Sequence, residues 1–446
     1  MHEYTDATEG LARAIVDYAR GRIANPRPLD RPPSPEVLTR RVGATITPGG
    51  LGGQEALRIW GDELAPTIMS TDHPGFLAFV PGAPTPASVL FDLAVSAACS
   101  YGGTWIEGAG AVWAENQVLR WLADLAGLPP GAGGCFVSGG TAGNLAALIT
   151  ARHAFVARGG KRERRRIVCA ESAHSSVAAA ARIMDVELDR VPDVGGRLTG
   201  AGLRAWLEGH DPAEVVAVAA SAGSTNAGLV DDLAGVAAAC SQHGIWLHVD
   251  GAYGGAALLA PTVRERFRGL ERADSFIVDP HKWLFAPYDA CALVYRDPEA
   301  ARAAHRQDAA YLETLNASAE WNPSDFAPHL SRRARGLPLW FSLAVHGTDA
   351  HRAAVEQVLA VTRATAEEIR GRRELELVVE PELSVVVFRR LGWDAEDYEA
   401  WWRRILRDHV AFVQPTLWEG EKVARLCFVN PRTTIEHVRA ILDTTT

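Results

Sequence analysis

The chain has 446 residues, 48% of them hydrophobic and 22% charged, and a formal net charge of −9. A chain of this size buries a large core without staples, and the composition excludes disordered, collagen-like and coiled-coil proteins. The acidic balance argues against a nucleic-acid or anionic-membrane partner, and no run of about twenty apolar residues is present to span a bilayer.

Met1–Gly21 carries acidic residues and no apolar centre, so no secretory leader is expected. Leu11, Ile15, Tyr18 and Ile23 lie near one stripe, which predicts an amphipathic helix over Leu11–Ile23. Proline then dominates Pro26–Pro35 and requires an extended connector. Residues 1–64 show apolar faces but too little sequence to enclose a core. They are expected to form a helical arm that covers those faces on the main body or on a partner subunit.

From about Ala65 the pattern alternates. Strands are expected at Arg166–Cys169, Val215–Ser221, Ile245–Asp250, Ser275–Asp279 and Ala290–Tyr295, with helices such as Ala142–Arg158 and Leu233–His243 among them. The strand runs are continuously apolar, as in a mostly parallel sheet covered on both faces. Residues 65–305 are therefore assigned to one large α/β domain. After Arg335 a long helix (Leu337–Arg370), a strand (Leu383–Arg389), a Trp-rich helix (Ala395–Val410) and a last strand (Val423–Val429) predict a small α+β domain over residues 336–446. The basic run Lys161–Arg166 reads as a solvated loop. The six cysteines are far apart and show no zinc-ligand spacing. They read as reduced, mostly buried thiols of a cytoplasmic protein without a metal.

Four short segments carry chemistry at the strand C-termini and helix N-termini where such a sheet holds ligands. Ser138-Gly139-Gly140-Thr141-Ala142-Gly143-Asn144 opens a helix. It reads either as a phosphate cradle of free N–H groups, helix dipole and the Thr141 hydroxyl, or as a helix after a Gly-rich turn. His248-Val249-Asp250-Gly251-Ala252-Tyr253 ends a buried strand on a carboxylate. Asp250 needs a donor or a cation there, which a protonated cofactor ring nitrogen or an ordinary salt bridge would supply. Asp279-Pro280-His281-Lys282-Trp283 sets Lys282 among apolar residues, where desolvation is expected to lower its pKa and make the amine a nucleophile. His281 is placed to bond a phosphate or a substrate. In Ala173-His174-Ser175-Ser176 the imidazole could stack on a planar ring, or a serine could cap the Ala-rich stretch that follows.

A phosphate cradle, an acid for a ring nitrogen, a stacking ring and an amine are what pyridoxal 5′-phosphate needs from a protein. On these motifs the chain resembles the group II pyridoxal-phosphate-dependent amino-acid decarboxylases, the family of aromatic-L-amino-acid and glutamate decarboxylases, from about residue 70 to the C-terminus. The N-terminal arm also looks like theirs. The resemblance implies fold type I: a mostly parallel, seven-stranded-type sheet in the large domain, the small C-terminal domain, and an arm that forms a homodimer with active sites at the interface. It implies that Lys282 binds the cofactor as an internal aldimine, Asp250 pairs with the pyridinium nitrogen, His174 stacks on one ring face and Ala252 packs on the other. Gly140, Thr141, Ser275 and His281 would hold the phosphate, with Ser224 and Thr225 near the ring. On the substrate side, Arg425 matches a carboxylate-binding arginine. Phe79, Val80 and Trp105 would form an apolar pocket that favours an apolar or aromatic amino acid.

The implied reaction is decarboxylation of an L-amino acid, through an external aldimine, to an amine and CO2. The resemblance departs at one point. In the family a tyrosine on a mobile loop usually supplies the Cα proton. That loop aligns with residues 306–335, anchored by Leu330-Ser331-Arg332-Arg333-Ala334-Arg335, and the tyrosine position falls near Pro323. Tyr311 is the loop's one tyrosine and the candidate substitute, with Lys282 and His174 as others. Where phenylalanine replaces the family tyrosine, oxygen attacks the carbanion and an aldehyde is released, so an aldehyde synthase is the alternative. Transamination or β-elimination on the same fold, and a non-catalytic phosphate-ligand binding protein, are further readings.

Overall fold

A computed structural model describes residues 2–160, 165–310 and 320–446. The apolar runs form one seven-stranded sheet in the order β1-β7-β6-β5-β4-β2-β3. Its strands are β1 (Gly133–Val137), β2 (Arg166–Ala170), β3 (Glu187–Val191), β4 (Val215–Ser221), β5 (Trp246–Asp250), β6 (Ser275–Val278) and β7 (Cys291–Tyr295). Pairings from β3 through β6 are parallel, and β7 lies antiparallel between β6 and β1. Every residue of β4 is buried because the two faces feed two cores. Val218 and Ala220 join one, Ala217 and Ala219 the other. A strand buried on both faces has no polar side to alternate with, which is why it reads as an unbroken apolar run.

Two strands of this sheet were not expected, nor were the small domain's Leu375–Val379 and Thr416–Trp418. β1 opens on two glycines, and β3 is an edge strand whose Glu187, Asp189 and Arg190 look outward to solvent and charge partners. The small domain's sheet has four antiparallel strands in the order β10-β11-β9-β8. These are β8 (Leu375–Val379), β9 (Val385–Arg390), β10 (Thr416–Trp418) and β11 (Glu421–Cys427). The long helix Leu337–Arg370 has the expected bounds but breaks at Gly347, whose φ of 76° lies in the left-handed region.

In the arm, helix Asp6–Ala24 buries none of its residues, and Ile15 and Val16 remain exposed. It is tied to the body by Arg22, which bonds Asp72 at 2.7 Å and also reaches Ser70. No described helix is long and apolar enough to cross a membrane, and no described group of three or more His, Cys, Asp or Glu has the geometry for a metal.

The segment Leu330–Arg335, expected to anchor the preceding loop, is held by a buried ion pair. Arg332 meets Glu115 with two N–H···O bonds of 2.7 and 2.8 Å, and Glu115 also accepts the Gly336 amide. Both side chains are 1% exposed. Glu115→Ala leaves the guanidinium buried without its counter-charge and is expected to remove about 3–5 kcal/mol of stability. Urea unfolding followed by tryptophan emission measures this; a loss below about 1 kcal/mol, the scale of a surface pair, would show that the clasp is dispensable.

Candidate active site

The cavity of interest, about 400 Å³, opens where β1, β4, β5 and β6 end. β1 runs through Ser138 and Gly139 into helix Gly140–Ala157. The helix can rest its first turn on β6 and β7 because residue 143 is glycine. A Cβ there would lie 2.9 Å from both Cys291 Sγ and Ile277 Cγ2. At Gly140 a Cβ would stand 3.0 Å from Ala252 Cβ and 3.1 Å from Asp279 Oδ2, closing the end of the cavity. The first-turn amides have no acceptor within a helix. With Gly140, Thr141 and Ala142 on the cavity wall, they bring the positive end of the helix dipole to it.

Asp250 closes β5 on a buried carboxylate. Oδ1 accepts the Ala252 amide at 3.1 Å and Oδ2 the Asn144 amide group at 2.8 Å. Both donors are neutral, and among the described residues no cation lies within ion-pair distance of it. Lys282 follows β6 and reaches the same cavity, its Nζ 2.9 Å from Asp279 Oδ2. This corrects the expectation of a lowered lysine pKa. Burial does oppose the ammonium, but the Asp279 carboxylate and then Asp250 outweigh it, and the pKa lies above its ordinary value. Asp279 is itself 2% exposed, and its Oδ1 has no hydrogen-bond partner.

His281 Nδ1 stands 2.6 Å from the Ala290 carbonyl, which leaves Nε2 on the cavity side, 3.7 Å from Asp279. Burial lowers its pKa. His174 caps helix Ser175–Ile183, with Nδ1 accepting the Ser176 amide at 3.2 Å, and its ring forms part of the wall. Ser224, Thr225 and Ala252 line the cavity too.

The structure thus gathers Gly140, Thr141, His174, Ser224, Thr225, Asp250, Ala252, His281 and Lys282 in one place. Five expected site residues are elsewhere. Ser275 is fully buried at the start of β6, the end of the strand away from the cavity, where its hydroxyl meets His248 and Trp246. It cannot hold a phosphate. Arg425 spends its guanidinium on the carbonyls of Thr225, Asn226 and Phe79 and is not on the wall. It clasps two loops together. Phe79 and Val80 lie beyond the cavity, with Phe79 edge-on to Phe412 at 5.8 Å. Trp105 starts a helix whose next residue, Ile106, is 71% exposed, and it too lies off the wall of this single chain. Tyr311 falls outside the described residues.

Wall residues given no role from the sequence include Asn144, Asp279, Tyr288 and Asp289. Asn144 had a signal: a polar residue on the sheet-facing side of an apolar helix must find a partner. Tyr288 sits in the strap after Lys282, 4.7 Å from the His281 ring, and nothing in its neighbours marked it.

Residues 56–391 match the pyridoxal-dependent decarboxylase conserved domain. The chain is 30% identical over 434 residues to an aromatic-L-amino-acid decarboxylase of Bacillus atrophaeus, covering 93% of this chain and 89% of that protein. It is 32% identical over 417 residues to an L-2,4-diaminobutyrate decarboxylase of Rhizobium meliloti, covering 88% and 81%. In fold it is similar to Oryza sativa TDC solved with PLP and tryptamine, with a TM-score of 0.93 at 24% identity over 100% of this chain and 99% of that one. It is also similar to Rhodiola rosea 4-hydroxyphenylacetaldehyde synthase, with a TM-score of 0.88 at 22% identity, covering 98% and 97%.

Proposed function

The chain belongs to the pyridoxal-dependent decarboxylases, enzymes that take the carboxyl group from amino acids with pyridoxal 5′-phosphate, and from that premise we propose that it decarboxylates an L-amino acid with an apolar or aromatic side chain to the amine. The observation that carries the reading is the convergence of Lys282, Asp250, His174 and the Gly140 helix start on one 400 Å³ cavity.

The residues present fit the cofactor. Asp250 is a buried carboxylate supplied with neutral donors only, which suits a cationic ring nitrogen. The end of the cavity exists because residue 140 lacks a Cβ, and it offers helix-start amides to a phosphate. Nearby, the buried Asp279 Oδ1 still lacks a donor. In this reading Lys282 is the attachment point, Asp250 holds the ring nitrogen, and His174 and Ala252 take the two ring faces. Thr141 and His281 assist the phosphate, and Ser224 and Thr225 lie beside the ring. The bound cofactor supplies the sink for the electron pair released as the carboxylate leaves. Lys282, kept protonated by Asp279, has a proton to deliver at Cα from Nζ. Tyr311 remains the loop candidate for that step.

The active protein is read as a homodimer. Helix Asp6–Ala24 buries none of its residues in one chain, and half-buried Trp105 and exposed Ile106 stand at a helix start, available to line a second copy's substrate pocket. Phe79 and Val80 would border that pocket from the chain's own side.

Twenty amino acids incubated with the PLP-loaded enzyme, under air and under nitrogen, test the reading by mass spectrometry. Amine and CO2 from an aromatic or apolar amino acid in both atmospheres are expected. An aldehyde formed only under air would replace the amine reading by the aldehyde-synthase one, and no CO2 from any substrate would end both.

A further inference from the structure

A chain of hydrogen bonds runs behind the cavity, and its direction can be read atom by atom. Trp246 Nε1, a donor only, gives its hydrogen to Ser275 Oγ at 3.0 Å. The Ser275 hydroxyl hydrogen is then left for His248 Nδ1, 2.9 Å away. His248 is fully buried, and burial pushes its pKa down to about 4, so the ring is neutral and its one proton sits on Nε2. That proton goes to Asn144 Oδ1 at 2.8 Å. With its oxygen so occupied, the Asn144 amide must turn its NH2 group forward. One hydrogen goes to Asp250 Oδ2 and the other to Ser176 Oγ, each at 2.8 Å. Ser176, accepting there, donates its own hydrogen to His174 Nδ1 at 2.7 Å, beside the Ser176 amide that already points at the same nitrogen.

Reversing the bonds of Asn144 or of His174 sets two donors or two acceptors against each other in a buried space, and reversing the Ser275–His248 bond requires a buried imidazolium, which desolvation opposes. Resting on the proposed cofactor site, we infer that Asn144, locked by His248, is a positioning residue that sets two cofactor-facing groups at once. It orients the Asp250 carboxylate with a neutral donor, so that its charge stays available to the ring nitrogen. It also fixes His174 as the tautomer with the proton on Nε2, the nitrogen left for the cavity. A single amide thereby links the acid under the ring nitrogen to the imidazole on the ring face, though the two groups come from different strand ends.

The wild-type apoprotein gives the first test, because no cofactor is needed. Long-range ¹H–¹⁵N correlation spectra of ¹⁵N-histidine-labelled protein, assigned through His174→Gln and His248→Gln, should show in both rings a bare Nδ1 and the proton on Nε2. A proton on Nδ1 of either ring overturns the inference, and does so whether or not the protein binds PLP. The second test is Asn144→Asp, which keeps the shape but sets an acceptor against Asp250. Its dissociation constant for PLP, read by fluorescence quenching, should rise about ten- to a hundredfold, the value of a hydrogen bond to a charged group. Ser176→Ala cuts only the branch to His174. It should leave that constant within about threefold, on the scale of one neutral hydrogen bond, while shifting the His174 ¹⁵N signals. Unchanged PLP affinity in a folded Asn144→Asp protein, or unshifted His174 signals in Ser176→Ala, would count against the assignment.

Discussion

Lys282→Arg is expected to fold like the wild-type protein, to lose all covalent hold on pyridoxal phosphate, and to lower kcat/KM by roughly a thousandfold or more, the scale on which loss of a covalent partner is felt. Lys282 brings the one lysine amine to the described cavity wall, beside a carboxylate at 2.9 Å. Alanine at this position would strand buried Asp279 without its counter-charge, so a loss of activity would mix chemistry with instability. Arginine preserves the charge and lacks an amine that can condense with an aldehyde. Borohydride reduction followed by peptide mapping should find the cofactor on residue 282 in the wild type and on no residue in the variant. A fixed adduct elsewhere in Lys282→Arg would move the attachment point and sink the proposed site.

Asp250→Asn should cost kcat about a hundred- to a thousandfold, with a much smaller change in KM. The substitution keeps the volume and removes the charge. It also disturbs the donors: the carboxylate accepts from Ala252 and from Asn144, whereas an amide can accept from only one of them. The charge term acts on the electron demand of the ring and appears in kcat. The packing term appears in the apoprotein's thermal midpoint, so the two are separable by experiment. A folded variant whose kcat stays within about tenfold of wild type would show that the carboxylate does not serve the ring nitrogen.

Much of the architecture was legible because a doubly covered parallel strand leaves a plain trace. Val215–Ser221 was bounded correctly from its unbroken apolar run. β3 was not, since an edge strand with one neighbour can afford Glu187 and Arg190. The site was legible where polar residues stood at or just past the end of such a run: Asp250 closes β5, and Lys282 follows β6 by four residues. Ser275 was misread, although its position held the correction. It begins a strand, and a parallel sheet serves its ligand at the strands' other ends. Arg425 lies within β11, where its partners are carbonyls far away in the chain that no local pattern reveals. The role of Asn144 depends on Asp250 and His248, each more than a hundred positions on, so only the folded chain displays it.

The antiparallel placement of β7 has a kinetic consequence. Lys282 hangs on a strap, residues 279–290, whose two ends are strands paired to each other through Phe276–Val294 and Ile277–Leu293. Both footings belong to one ladder, which anchors the backbone under the lysine from both sides. With pyridoxal phosphate held on Lys282 as proposed, motion of the amine would be swings of its four methylenes about that anchored backbone, on a faster timescale than domain rearrangement. A lysine so anchored would stand in register for each new round without a separate recoil of the scaffold.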